Sequence, residues 1–493
     1  MFLESSNFHL LLPKKDFFAM IQITTAKAIP EDGSIILLAT MDSDFGSVGL
    51  SEEDIHYVKT LMETQSSHIA FNKSGRWLFV QSLDPSNVTS TEKEKMRRNA
   101  AKLHPSILQQ KIRSLAIVDM TGNAALTCAF AEGMALSNYQ FLKYARKKAE
   151  KQSLLSGLTI VGTVEQNEIN RLNCILEAVY KTRDLVNEPA NMMTPVQFAA
   201  KIEAMGKEAG FEVQVFDKAA IEKMKMGGIL AVNRGSTEAP TFSILEWKPA
   251  AAKNKRPVVL AGKGVTFDSG GHNLKTGDYM NDMKSDMAGG AAVAATVYAI
   301  AKSQLPVYVV GLIPSTDNRL SPDACSPGDM ITMYDGTTVE VTNTDAEGRL
   351  ILADALTYAK KYDPELVVDM ATLTGSAQRA LGDQGIAAMS NAPRETMDRL
   401  KSCGESVHER LVEFPLWEEY AEYLKSDIAD LKNAGGKNAG MITAGKFLEH
   451  FTAYPYIHLD IAGMAFAEES GSYWSKGGTG AGVRLLFEFL KNY

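Results

Sequence analysis

The sequence predicts an α/β protein in two parts. A smaller N-terminal α/β unit, residues 1–165, is joined by a helix, 166–187, to a larger α/β unit, 188–493, with a mostly parallel central sheet. Three observations predict this. Apolar runs of strand length alternate with stretches of helical period along most of the chain. The alternation is most regular in the second part, as expected where helices cover both faces of a parallel sheet. The 493 residues, 45% apolar and 22% charged, have ordinary globular composition and enough length for more than one core. Disordered, collagen-like and simple coiled-coil chains are excluded.

In the first part, residues 35–39, 77–80, 115–118 and 158–161 are strand-like. Residues 68–71 and 77–80 flank Asn72-Lys73-Ser74-Gly75, which suits a hairpin turn. Residues 91–113 and 130–151 are patterned as helices. Ile169, Leu172, Ile175 or Leu176, Val179 and Val186 then recur at helical spacing. Pro189, within Asn187-Glu188-Pro189-Ala190-Asn191, should end that helix and place the connection between the two parts there.

In the second part, buried strands are expected at 257–260, 307–313, 339–341 and 366–370, and helices at 280–302 and 349–362. The apolar stretch 287–301 is shorter than the ~18–20 residues of a membrane span and reads as a tightly packed core helix. A net charge of −8 disfavours nucleic acid as a partner, and the basic clusters at 146–148 and 253–256 read as solvated faces. Cys128, Cys174, Cys325 and Cys403 form no CxxC pair, which argues for a reducing compartment and against a cysteine-ligated zinc. The N-terminus has no basic region, and Glu4 interrupts its short apolar run, so no secretory signal is expected. A cytoplasmic protein outside the membrane follows as the expectation.

Sites in such folds lie at the carboxyl ends of the strands. The first strand of the second part leads into Gly262-Lys263-Gly264-Val265-Thr266-Phe267-Asp268-Ser269-Gly270-Gly271, followed by Lys275. Asp286 should sit in the early turns of the helix beginning near Met280. After the strand at 339–341 comes Asn343-Thr344-Asp345-Ala346-Glu347-Gly348-Arg349, and after 366–370 comes Ala371-Thr372-Leu373-Thr374-Gly375. Four carboxylates and three cations are thereby expected at one sheet edge. Carboxylates so placed repel one another unless cations balance them, and their hard oxygens suit divalent metals. Asp345 and Glu347, two apart, would point to one side of an extended backbone. Loop solvation or helix capping could account for any one of these acids, but not for the lysines and arginine interleaved with them.

Asn343-Thr344-Asp345-Ala346-Glu347-Gly348-Arg349-Leu350 resembles the signature of the leucyl aminopeptidases, the two-metal cytosol aminopeptidases. Further similarity lies in the segments around Lys263, Asp286 and Thr372, in Arg183-Asp184-Leu185-Val186-Asn187, in 427–436, and in His458-Leu459-Asp460-Ile461-Ala462-Gly463. The likeness covers 183–490. Before that it is thin, chiefly from Glu132-Gly133 through Tyr139-Gln140-Phe141. It implies a macro-domain-like N-terminal α/β domain and a catalytic metallopeptidase domain at 188–493.

Carried over by position, the resemblance implies two divalent ions per subunit, Zn²⁺ or Mn²⁺, although Mg²⁺ also suits such ligands. Asp268 and Glu347 would bridge them, Asp345 would complete the first site, and Lys263 with Asp286 the second. Lys275 would stabilise the oxyanion. Arg349 would hold a bicarbonate that acts as general base beside the attacking water. The substrate, a short peptide with a free N-terminus, would lie against Lys275, Asp286, Met283, Thr372, Leu373 and Gly375, with leucine or another apolar residue first. Self-association as a homohexamer is implied as well. His272, Ser326 and Arg379 depart from the family pattern and bear on fine substrate preference.

Other chemistries find less support. HExxH and GxSxG are absent, and residues 440–447 fall one residue short of a P-loop because Phe447 stands where Ser or Thr is needed. The glycine-rich stretch 477–484 lacks the context of a dinucleotide site. A second role in DNA binding or regulation, known for some relatives, is the alternative of a different class. The acidic balance and the presence of all seven site positions favour the enzyme.

Overall fold

The computed structural model describes residues 20–31, 33–64, 69–73, 75–86 and 88–493. Glu4, His68 and Ser74, on which parts of the expectations above rest, lie outside the described residues. The N-terminal sheet has the order Gln22–Ala26, Gly157–Val161, Ser114–Asp119, Ser34–Ala39, Arg76–Ser82, Ile69–Lys73. All neighbours are parallel except the last pair, the expected hairpin, in which Lys73 faces Arg76. Alternation along Ser34–Ala39 serves two cores. Ile36 and Leu38 pack with Ile117 and with helices Ser90–Gln109 and Ala124–Ser137. Ile35 and Leu37 pack with Val118 and helix Glu52–Glu63.

The helical pattern at 130–151 is broken in the structure. The helix ends at Ser137, and only Lys148–Lys151 of the remainder is helical. Asn138 explains the break: its side chain meets His104 Nε2 at 3.0 Å and donates to the Leu155 carbonyl at 3.1 Å. Tertiary hydrogen bonds there override local propensity.

Helix Gln166–Asn187 packs against both parts. Asn173 exchanges hydrogen bonds with the Ile23 backbone at 3.1 and 2.8 Å. Near the other end, the buried Arg183 guanidinium donates to the Leu136 carbonyl on one side and to the Thr479 and Tyr473 carbonyls on the other.

The central sheet of the second part is mixed, with a parallel middle. Tyr456–Asp460, Leu366–Ala371, Val258–Gly262 and Val309–Asn318 run parallel in that order. Ile386–Ser390 and Thr241–Trp247 flank them antiparallel, Leu411–Phe414 and Glu212–Phe216 form the edges, and Gly264–Asp268 pairs along Val309–Asn318. Helices Ala288–Lys302 and Val483–Lys491 cover one face, and Glu347–Ala359 and Gly440–His450 the other. Ala288 through Ala301 are buried, as a core helix requires.

Two expectations are corrected. Thr338–Glu340 belongs to a separate small sheet with Met330–Thr332 and Leu431–Lys432, not to the central one. The helix expected from Met280 starts at Ala288, after single turns at Gly277–Met280 and Met283–Ser285. Ser285 Oγ donates to the Asp282 carbonyl at 2.6 Å, a local bond that competes with helix continuation. Among the described residues no helix is long and apolar enough to cross a membrane, and the four cysteines are free.

Candidate metal centre

Strand ends and one helix start bring the charged residues together. Lys263 follows strand Val258–Gly262, and Asp268 closes Gly264–Asp268. Asp286 follows the turn Met283–Ser285, and Glu347 opens helix Glu347–Ala359. All four are buried. One carboxylate oxygen from each of Asp268, Asp286 and Glu347 lies within 4.8 Å of the others.

The lysines thread between these acids. Lys263 Nζ lies 2.8 Å from Asp286 Oδ1, 2.9 Å from Glu347 Oε1 and 2.9 Å from the Thr372 carbonyl. Gly348 makes room for it, since a Cβ there would stand 2.5 Å from Lys263 Cε. Lys275 Nζ joins Asp268 Oδ2 at 2.7 Å to Asp345 Oδ1 at 2.6 Å. Asp345 thus stands beside the triad, linked to it through Lys275. It sits in a turn, whereas Glu347 is already helical, so the extended arrangement expected of the pair is not the one formed.

Backbone and amide groups fix the acids. Asn318 Nδ2 donates to Asp268 Oδ1 at 2.8 Å and to the Thr344 carbonyl at 3.0 Å. Asn433 Oδ1 accepts from Thr342 and Asn343 N–H, its Nδ2 donates to the Asn343 carbonyl, and its own carbonyl accepts from Arg349 Nη1 at 2.7 Å. Sequence reading missed both asparagines as site-building residues. Asn433 lies within segment 427–436, which resembles the family; Asn318 has no such signal.

Burial and mutual repulsion dominate the electrostatics. Burial pushes Asp286 far above the usual carboxylate range despite the opposing charge of Lys263, and raises Asp268, with Glu347 adding to it. Asp345 is pushed up to about 7 by burial and then by the charges of Asp268 and Glu347. Glu347 goes the other way: burial opposes its charge, but Lys263 and Lys275 outweigh that. Both lysines are raised, because the surrounding carboxylates outweigh burial. Burial brings the Arg349 guanidinium down to about 10.

The residues fit divalent ions. Four carboxylates, three of them buried, against Lys263, Lys275 and Arg349 leave one formal negative charge. Asp286 Oδ2 and Glu347 Oε2 have no hydrogen-bond partner, and Asp345 Oδ1 meets Lys275 only as an ion pair outside hydrogen-bond geometry. Unpartnered hard oxygens beside excess negative charge are what a dication satisfies.

Thr372 Oγ1 donates to Asp286 Oδ1 at 2.8 Å, and Met283 accepts from the Asp286 N–H, so both adjoin the acidic cluster. Leu373 is half-buried and Gly375 exposed. His272 is exposed, its Nδ1 2.9 Å from the Cys325 carbonyl, a loop histidine. Ser326 N–H donates to Asp329, and Arg379 is exposed on the short helix Gly375–Leu381. Lys446, of the near P-loop, pairs with Glu418 and Glu449.

On the strand beside this centre, His458 and Tyr456 converge on Asp369, with His458 Nδ1 at 2.7 Å from Asp369 Oδ1 and all three side chains buried. Burial opposes charge on His458, but Asp369 outweighs it, so its pKa is raised. The folded state then holds this proton more tightly than the unfolded chain. That stabilisation is complete below the ordinary histidine value of about 6.5 and is lost as pH rises through the folded value. Calorimetric melting across this range should show the wild-type midpoint falling more steeply with pH than that of His458→Gln; parallel curves would count against the pair.

A family profile described as "Cytosol aminopeptidase family, catalytic domain" matches residues 180–487. A probable cytosol aminopeptidase of Chloroherpeton thalassium is 51% identical over 314 residues, which is 63% of this chain; the aligned part spans only 61% of that protein. One of Chlorobium limicola is 44% identical over 425 residues, 80% of this chain and 83% of the relative. Among solved structures, a tomato leucine aminopeptidase mutant superposes with a TM-score of 0.85 at 27% identity, covering 98% of each chain. The bottromycin maturation enzyme BotP in complex with Mn gives 0.82 at 30%, covering 93% of this chain and 99% of that one. The chain belongs to the cytosol aminopeptidase family, a family of two-metal aminopeptidases.

Proposed function

We propose that this protein is a metallo-exopeptidase that releases single N-terminal amino acids, leucine and other apolar residues among them, from short peptides. What supports this most directly is the buried triad Asp268, Asp286 and Glu347 with Lys263 and Lys275 threaded through it. In this reading two divalent ions, Zn²⁺ or Mn²⁺, would be held by Asp268 and Glu347 together with Asp345, Lys263 and Asp286. Ions held there supply Lewis-acid chemistry, activating water near neutral pH and polarising a carbonyl. Lys263 serves as a ligand only as a neutral amine, a form that an adjacent dication favours.

The chain's own groups do the rest. Lys275 keeps its proton among Asp268, Glu347 and Asp345 and offers positive charge to the carbonyl oxygen as that oxygen gains charge. Arg349 is anchored through Nη1, while its buried Nε has no hydrogen-bond partner, a donor that would hold a bicarbonate as a general base. The unpartnered Asp286 Oδ2 suits a substrate amine. Thr372, Leu373, Gly375 and Met283 form the peptide's resting place beside it.

The proposal extends to the whole protein: an N-terminal domain at 1–165, a linker helix at 166–187, a catalytic domain at 188–493, a cytoplasmic setting, and a closed homohexamer. Closed symmetry is the usual form of soluble oligomers. Light scattering at micromolar concentration should return six chains' mass, and a monomer would contradict the hexamer.

The testing experiment is metal analysis combined with a panel of aminoacyl amides, with and without added Mn²⁺ or Zn²⁺. Metal-dependent release of the first residue is expected. A free amine seated at Asp286 fixes the scissile bond one residue in, so the N-acetylated form of the best peptide should be hydrolysed at least ~10²-fold more slowly, as when a partner of a buried charged group is removed. Equal rates on the two forms would sink the exopeptidase reading.

A further inference from the structure

The segment His458-Leu459-Asp460-Ile461-Ala462-Gly463 holds no ion in the reading above. We infer that its Asp460 is a positioning residue for the substrate-binding loop, a buried carboxylate that holds Leu373 and Thr374 in place and so sets affinity for the peptide; this rests on the proposed role of Thr372, Leu373 and Gly375 as peptide contacts.

Asp460 ends strand Tyr456–Asp460 directly beside Ala371, the last residue of the neighbouring parallel strand. It is buried. Its Oδ1 accepts from Leu373 N–H at 3.1 Å and Ala462 N–H at 3.2 Å, and its Oδ2 accepts from Thr374 Oγ1 at 2.6 Å. Thr374 Oγ1 in turn accepts from Ala377 N–H at 3.1 Å, the side-chain cap of helix Gly375–Leu381. One carboxylate therefore fixes both the loop and the start of the helix that follows it.

The same segment grips the far end of that helix. A Cβ on Gly463 would stand 1.9 Å from the Gly382 carbonyl oxygen, so glycine is what allows the close approach. On its other side the loop is tied to the metal centre, because Thr372 Oγ1 bonds Asp286 and the Thr372 carbonyl accepts from Lys263. The loop is thus stretched between the ligands and Asp460. Asp460 itself makes no hydrogen bond to Lys263, Asp268, Asp286, Asp345 or Glu347. Releasing it frees the loop and leaves the ligands in place.

Asp460→Asn is isosteric but puts an N–H₂ where one acceptor stood. Thr374 Oγ1 already accepts from Ala377 N–H and Ser376 Oγ, so the bond cannot simply reverse. Thr374→Val removes the same bond from the other side. Both variants, made in the full chain and loaded with Mn²⁺, are to be compared for metal content, for kcat and KM on leucinamide, and for amide exchange at Leu373 and Ala377. The expected result is retained metal, a KM raised about tenfold in each variant, kcat within about threefold, and faster exchange at both amides. The double variant should be little worse than either single one, since both remove one bond. Wild-type KM with unchanged protection, or loss of metal or fold in both variants, overturns the assignment. If the wild type does not hydrolyse leucinamide, the exopeptidase reading fails instead. The exchange arm then still decides the loop's tether, and unchanged protection overturns it.

Discussion

Glu347→Ala should strip the protein of metal and of activity together. Glu347 lies at the centre of the charge cluster: it is buried, pairs with Lys263 at 2.9 Å through Oε1, and keeps Oε2 without a partner. In the proposed arrangement its two oxygens serve two ions, so one substitution weakens both positions. Lewis-acid catalysis supplies several kcal/mol of transition-state stabilisation, and its loss corresponds to a fall in turnover of about 10³-fold or more. Asp268→Ala should behave alike, since Asp268 is the other acid proposed to serve both ions. Elemental analysis after gel filtration, set beside turnover on leucinamide, checks this. A Glu347→Ala enzyme that retains two ions per chain would show that the bridge has been placed on the wrong residue.

Lys275→Ala should separate the two properties. Lys275 Nζ pairs with Asp268 at 2.7 Å and Asp345 at 2.6 Å, and neither acid needs it to hold a cation. Removing its charge leaves those carboxylates more negative, which favours dications. Metal should therefore stay bound. The cost falls on the developing oxyanion, where losing one donor typically slows turnover ~10²–10³-fold. Steady-state kinetics on metal-loaded protein should show kcat falling far more than KM rises. Loss of metal, or a kcat near the wild-type value, would show that Lys275 only balances charge.

Much of this centre was legible because its members come in short contiguous runs at strand ends. Lys263 precedes and Asp268 ends one short strand, and Thr372 to Gly375 follow another strand directly. Asp286 was found but set in the wrong element. The Ala- and Gly-rich run after it is uniformly apolar, so its pattern carries no mark of where helix begins, and the Ser285 side chain decides that locally. Asp345 and Glu347 show a different limit: spacing alone cannot distinguish an extended pair from a turn that enters a helix.

Some strands that escaped notice carry polar groups on their buried faces. Tyr456–Asp460 is wholly buried, yet His458 and Asp460 break its apolar run; Asp369 pairs with His458 Nδ1 and the loop at 373–374 with Asp460. Asn318 and Asn433 could not be found by spacing, since they reach Asp268 and Asn343 from 50 and 90 residues away. Such partners are set by the topology of the sheet, which a single sequence expresses only through the fold.

The central claim is that two ions sit between Asp268 and Glu347. Anomalous diffraction at the manganese edge, from crystals of the whole protein grown with Mn²⁺, tests it most directly. Two peaks per chain are expected, each within bonding distance of a carboxylate oxygen of both residues, about 2.0–2.2 Å as for other small divalent ions. A single peak, or peaks that touch neither Asp268 nor Glu347, would contradict the account.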